Sequence, residues 1–234
     1  MTDAEDFRDL LTNGEMEVIG RMPNSSNATL LVEVGTGDVS VRAVYKPLKG
    51  ERPLWDFPPG LFLREVAAFE LSRALGWHQV PLTVRRDGRF GEGSVQMFVD
   101  FVESEHYFSL HENREDLHDD LRRMALFDII ANNTDRKGGH VLLGTDGRVW
   151  GIDHGVCFSD DFKLRTVIWE FGGEEIPAGM LGDVERLSTA VPAEVTGLLS
   201  DAENEAMAER IEWILDNGVF PVPGSRYEYP WPLI

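Results

Sequence analysis

The chain has one cysteine, Cys157, in 234 residues. A single thiol excludes an internal disulfide and any zinc cage built on several thiolates. Basic residues are also scarce: 22 Lys and Arg stand against 41 Asp and Glu, a formal charge of −19. Such a chain lacks the basic face that phosphate neutralisation requires, which argues against a nucleic-acid partner. An anionic bilayer would repel it as well. No apolar run approaches the length of about 20 residues that crosses a membrane. The opening MTDAEDFRDL has neither the basic start nor the apolar stretch of a secretion signal, so the expectation is a soluble, cytoplasmic protein. The six histidines never fall at HExxH or HxxxH spacing, which removes the usual zinc-enzyme signature. The dense acids from Asp100 to Asp120 match no calcium-binding loop and read as a solvated face.

Against these absences, 42% of the residues are hydrophobic, enough to bury a core in one large domain or in two small lobes around a cleft. Residues 1–14 read as a loose helix or arm. Strand patterns follow at 15–20, 29–34 and 39–45, the first two separated by the turn-forming MPNSSNA. A proline-bearing loop leads to a helix with Phe62, Val66 and Phe69 at helical spacing, stopped by Gly76. Further strands are predicted over 80–84 and 93–102. After a charged linker, Leu117, Leu121, Met124 and Asp128 share one helical stripe. Thr145-Asp146-Gly147 marks a hairpin turn. Ser200 and Glu203 form a capping box for a last helix that Gly218 ends. The predicted class is α+β, a β-rich first half before a helical second half.

Four features could carry chemistry. The turn Pro23 to Asn27 offers small hydroxyls and backbone N–H groups to an anion, although as an isolated feature it is an ordinary hairpin loop. Lys46 ends the third strand and Glu65 sits on the following helix, a pair with the logic of a phosphate-holding lysine. The loop Asn132 to His140 contains Asp135, suited to orient or deprotonate a hydroxyl, with Arg136 and Lys137 to counter phosphoryl charge. Asp153, between a strand and Gly155, stands where a phosphotransferase places a metal-binding carboxylate; a simple Asx turn is the alternative. Asp128 reads as a buried structural acid.

Taken in order, these segments resemble a known family. FDIIANNTDRKGGHVLL (127–143) and GIDHGVCF (151–158) are similar to the catalytic and metal-binding segments of type II phosphatidylinositol 4-kinases and their bacterial phosphatidylinositol 3-/4-kinase-like relatives. AVYKPLKGERP (43–53) is similar to the family's phosphate-lysine strand, and GSVQMFV (93–99) to the strand leading to its adenine-contacting hinge. The resemblance implies a two-lobed kinase-like fold with an N-lobe over 15–100, a C-lobe over 101–234, and ATP with Mg²⁺ or Mn²⁺ between them. It also implies roles. Ser25, Ser26 and Asn27 would line the phosphate loop, Lys46 would hold phosphates with Glu65 as partner, and Gln96, Met97 and Val99 would border adenine. Asp135 would be the catalytic aspartate and Asp153 the metal ligand.

The chain departs from the pattern at His140, where the family has a metal-binding Asn. An imidazole nitrogen suits softer divalent ions than Mg²⁺, so His140 either ligates a metal such as Mn²⁺ or marks a degraded metal position. Gly138 and Gly139 replace bulkier residues and predict a more mobile loop. The leading expectation is a phosphotransferase acting on a hydroxyl acceptor that the sequence does not identify. A nucleotide-binding pseudokinase is the alternative favoured by His140, and a genuine phosphoinositide kinase is another, disfavoured by the charge and by the lack of a palmitoylated cysteine cluster.

Overall fold

Antiparallel strands come first and helices later, as the hydrophobic pattern predicts. The computed structural model describes residues 4–23 and 27–234. A helix, α1 (Ala4–Asn13), precedes β1 (Glu15–Arg21), β2 (Leu30–Thr36) and β3 (Val39–Pro47). With β4 (Thr83–Gly88) and β5 (Gly91–Met97) these form one antiparallel sheet in the order β1-β2-β3-β5-β4. Strand alternation puts Val32 and Val34 of β2, Ala43 and Tyr45 of β3, Val84 and Val95 on one buried face, where Leu11 of α1 covers them.

The fourth and fifth strands differ from expectation. Val80 is drawn into a larger core made by the helices, and Pro81 has no N–H to donate to a ladder, so β4 begins at Thr83. It runs on to Gly88, and Gly91, at φ 102°, lets β5 turn back directly. β5 then ends at Met97 rather than continuing to residue 102.

Helix α2 (Leu61–Leu75) stops where predicted, at Gly76 with φ 77°. Its first turn is capped from a distance: the Glu51 carboxylate accepts the N–H of Gly60 and of Phe62, both at 2.9 Å. Buried residues occur all round this helix, which packs against β4 and β5 on one side and joins the larger core on the other.

The charged linker is not all linker. It holds α3 (Tyr107–Asn113), capped by His106 and Ser109, because Tyr107 and Leu110 reach the core between the acids. Next come α4 (His118–Ile130) and a two-stranded hairpin of β6 (Val141–Leu143) and β7 (Val149–Gly151). Two further helices, α5 (Ala178–Thr189) and α6 (Ala193–Thr196), lie in sequence with no predicted element. The last helix, α7 (Asp201–Asn217), has the predicted Ser200–Glu203 capping box and ends at Gly218 with φ 64°. No helix of the described residues is long and apolar enough to cross a membrane.

Candidate active site

Three charged side chains that are far apart in sequence meet between β3, α2 and the segment after β7. Strand register puts Lys46 near the end of β3, opposite Ser94 of β5. Its Nζ pairs with the Glu65 carboxylate of α2 and with Asp153 Oδ1 at 2.8 Å. Glu65 is nearly buried at 3% side-chain exposure, Lys46 is at 21%, and Asp153 is open at 53%. Burial works against the Lys46 charge, but Asp153 and Glu65 outweigh it and hold its pKa above the ordinary lysine value. The same ammonium holds the Asp153 carboxyl well below the usual range. Asp153 adopts φ 61°, an unusual conformation for a non-glycine residue that Asp tolerates better than most. Two residues on, a Cβ at Gly155 would stand 3.3 Å from Glu65 Oε1, so glycine lets this turn approach α2 closely.

The loop after α4 is tied on its inner side and open on its outer side. Asn132 donates to Ser159 O (2.9 Å) and Asp161 O (2.7 Å), and accepts the N–H of Lys163 (3.1 Å). Asn133 donates to Asp128 (3.0 Å), and its side-chain oxygen accepts the Asp135 N–H (3.0 Å). Thr134 bonds Val156 O. These contacts hold Asp135 against the segment that carries Asp153. Burial raises the Asp135 carboxyl pKa, with Lys137 Nζ, 3.2 Å away, working the other way.

Arg136 does not face a phosphoryl group as expected. It is fully buried; its Nε and Nη2 donate to Asp128, its Nη1 donates to Ile152 O at 2.9 Å, and Nη2 also lies 2.7 Å from His154 Nε2. Asp128, expected as a structural acid, is its buried counter-ion. A guanidinium with five fixed donors is satisfied here by a carboxylate, the carbonyls of Ile152 and His140, and a ring nitrogen. His154, which carried no signal beyond its place after Asp153, connects the two networks: its ring meets Arg136 and its backbone N–H donates to Glu65 Oε2 at 3.1 Å.

His140 stands beside the open carboxylate. Its Nδ1 lies 3.1 Å from Asp135 O and its Nε2 lies 3.5 Å from Asp153 Oδ2. Burial pushes its pKa down to about 4, so the ring is neutral near pH 7. With Nδ1–H donating to the carbonyl, the Nε2 lone pair faces a carboxylate oxygen, a donor set that fits a divalent cation. Among the described residues no group of three or more His, Cys, Asp or Glu forms a complete metal cage.

Gly138, one of the two glycines expected to loosen this loop, is tied to the end of the chain. The Gly138 N–H donates to Leu233 O at 2.7 Å, and a Cβ there would lie 3.0 Å from the Phe108 ring. Gly138 admits close packing, whereas a Cβ at Gly139 would meet only Ile234, at an ordinary 3.7 Å. Of the remaining predicted residues, Asn27 accepts the Arg52 N–H at 3.0 Å, and Ser25 and Ser26 lie outside the described residues. Gln96 is buried and donates to Thr83 Oγ1 at 2.9 Å, so its amide serves the sheet. Met97 packs on the first core and Val99 is half-buried just beyond β5.

The family described as Phosphatidylinositol 3- and 4-kinase matches residues 12–183. Protein Rv2133c of Mycobacterium tuberculosis (strain ATCC 25618 / H37Rv) is 39% identical, with 99% of this chain and 97% of that protein covered. Phosphatidylinositol 4-kinase gamma 4 of Oryza sativa subsp. japonica is 26% identical over 68% of this chain and 34% of its own length, so the chain spans about a third of that relative. Among solved structures, the Golgi casein kinase with Mn/ADP bound superposes with a TM-score of 0.59 at 14% identity, covering 98% of this chain and 80% of that one. That likeness is one of fold, and it is two-lobed.

Proposed function

We propose, since this chain belongs to the phosphatidylinositol 3- and 4-kinase family, that it transfers the terminal phosphoryl group of ATP to a hydroxyl acceptor. The observation that carries the reading is the convergence of Lys46, Glu65 and Asp153 beside the loop that presents Asp135. Lys46, held extended by Glu65, binds the phosphate oxygens. Asn27, with Ser25 and Ser26, contributes the phosphate loop, and the chain from Gln96 through Met97 to Val99 borders the adenine. Asp153 and His140 would hold the divalent ion, Mg²⁺ or Mn²⁺, which supplies charge neutralisation on the phosphates when bound. Asp135 orients the acceptor hydroxyl and takes its proton as the oxygen attacks the terminal phosphorus and ADP leaves. Little covalent chemistry is asked of the protein. Its contribution is positioning and charge compensation.

The acceptor is proposed to be in solution rather than in a bilayer, a reading supported by the charge of −19. A second reading, a nucleotide-binding pseudokinase, is favoured by one observation: a half-buried, neutral His140 stands where the family has Asn. Incubation with terminally labelled ATP and either metal, followed by analysis of every labelled product, separates the readings. Transfer or hydrolysis that Asp135→Asn removes while nucleotide binding survives supports the enzyme. Binding without turnover under either metal supports the pseudokinase, and labelled phosphatidylinositol from vesicles overturns the soluble acceptor.

A further inference from the structure

Next to Glu65 on α2 stands Arg64, a second buried arginine whose counter-ion comes from a distant helix. It is 4% exposed and forms a buried ion pair with Glu203 of α7, 139 positions away in the chain. Glu203 divides its two oxygens. Oε1 takes Arg64, and Oε2 accepts the Ser200 N–H (2.8 Å) and hydroxyl (3.0 Å) that complete the capping box of α7. The start of one helix and the flank of another therefore share a single carboxylate. The other side of Arg64 lies 5.3 Å from the Phe57 ring, on which Lys163 also rests at 4.7 Å. Lys163 in turn pairs with Asp56 at 3.0 Å. Further along α7, Arg210 Nε donates to Ile130 O at 2.9 Å, at the end of α4 where the Asp135 loop begins.

We infer that Arg64 and Glu203 are positioning residues: α7 holds α2 through this pair so that Glu65 stays on Lys46 without an activating partner. The inference rests on the Lys46–Glu65 pair serving nucleotide binding. Its physical basis is the cost of a buried charge left alone. A carboxylate and a guanidinium withdrawn from water stay together unless both are hydrated again, so α2 cannot swing away without exposing the pair. α2 is also buried around its circumference and capped at its start by Glu51, so the ion pair adds direction to an already packed helix. Arg64 and Glu203 touch neither nucleotide nor acceptor in this assignment; they act through Glu65.

Glu203→Gln is the informative variant, because glutamine preserves a capping box while removing the negative charge. Two measurements are made on the full chain. Hydrogen exchange reports the protection of α2 and of the His154 N–H that Glu65 accepts, and titration with MgATP reports affinity. Glu203→Gln and Arg64→Met should each speed exchange in α2 and at His154 and weaken MgATP by about tenfold, the scale of one lost charge-assisted contact of about 1.4 kcal/mol. Arg64→Lys should recover most of both losses. Ile211→Ala, a core change on α7 that leaves both charges in place, should lower melting without either effect. Wild-type exchange in α2 for both charge variants, or an equal loss of affinity in Ile211→Ala, overturns the inference. If Glu203→Gln fails to fold, the contrast between Arg64→Met and Arg64→Lys decides alone. Failure of the wild type to bind MgATP would instead overturn the phosphotransferase reading, and the exchange contrast would still decide whether α7 positions α2.

Discussion

Two charged networks lie side by side in this protein and share one residue, yet they differ in access to solvent. Asp128, Arg136 and His154 are wholly buried, and the Arg136 donors are directed to groups inside the fold. Lys46, Glu65 and Asp153 use the same kinds of side chain, but Asp153 is half open, with one oxygen on Lys46 and the other facing the neutral His140 ring. The first network has no room for a substrate. The second is held in place by the first, through the His154 backbone N–H on Glu65. Burial, more than residue type, separates the supporting network from the proposed site.

The largest effect should come from breaking the closed network. Asp128→Ala leaves Arg136 charged and uncompensated, which costs about 3–5 kcal/mol. For a chain of this size that corresponds to a melting temperature lower by roughly 6–20 °C, measurable by circular dichroism. The open network should be more tolerant. Lys46→Ala leaves Glu65 still accepting the His154 N–H, and its cost should be about 1–3 kcal/mol. Equal losses in the two variants would erase the distinction between support and site.

Acidification should sharpen the comparison. The folded pKa of His140, about 4, lies below its ordinary 6.5, so the unfolded chain takes up that proton first. Its contribution is complete above about pH 6.5 and is lost as pH falls towards 4. Asp153, also depressed, loses its contribution lower still, as pH falls below the ordinary carboxylate range. Without divalent ions, the wild type should therefore lose melting temperature between pH 7 and pH 5, and His140→Asn should lose less. Parallel curves for the two proteins would contradict the half-buried, neutral ring. The smallest expected effect is one of metal choice. The ratio of Mn²⁺ to Mg²⁺ affinity in the presence of ATP should fall in His140→Asn, because an amide oxygen suits the harder ion.

Much of this arrangement was legible in the chain itself. Lys46, Asp135 and Asp153 stand out because each ends or follows a patterned element, and ordered motifs supplied their resemblance to a family. The capping box of α7 was legible too, since Ser200 and Glu203 are three residues apart. Its second half was not: nothing local links Glu203 to Arg64, and the pair exists only after α2 and α7 pack. Arg136 misled for a related reason. A cation beside a catalytic-type acid suggests phosphate, whereas its burial depends on Asp128, one helix earlier. Helix α3 was concealed by the acids that flank it in sequence, and Gly138 suggested mobility where the fold required space for Leu233 and Phe108.

The central claim, that the open network is a nucleotide site, is tested most directly by melting with MgATP or MnATP. At ligand about 100 times Kd, binding should add about 2.7 kcal/mol to wild-type stability. That raises the melting temperature by roughly 5–11 °C. The shift should vanish in Lys46→Ala and in Asp153→Ala, and persist in Asp135→Asn. An unchanged wild-type melting temperature at millimolar nucleotide with both metals, or an equal shift in Lys46→Ala, would contradict the account.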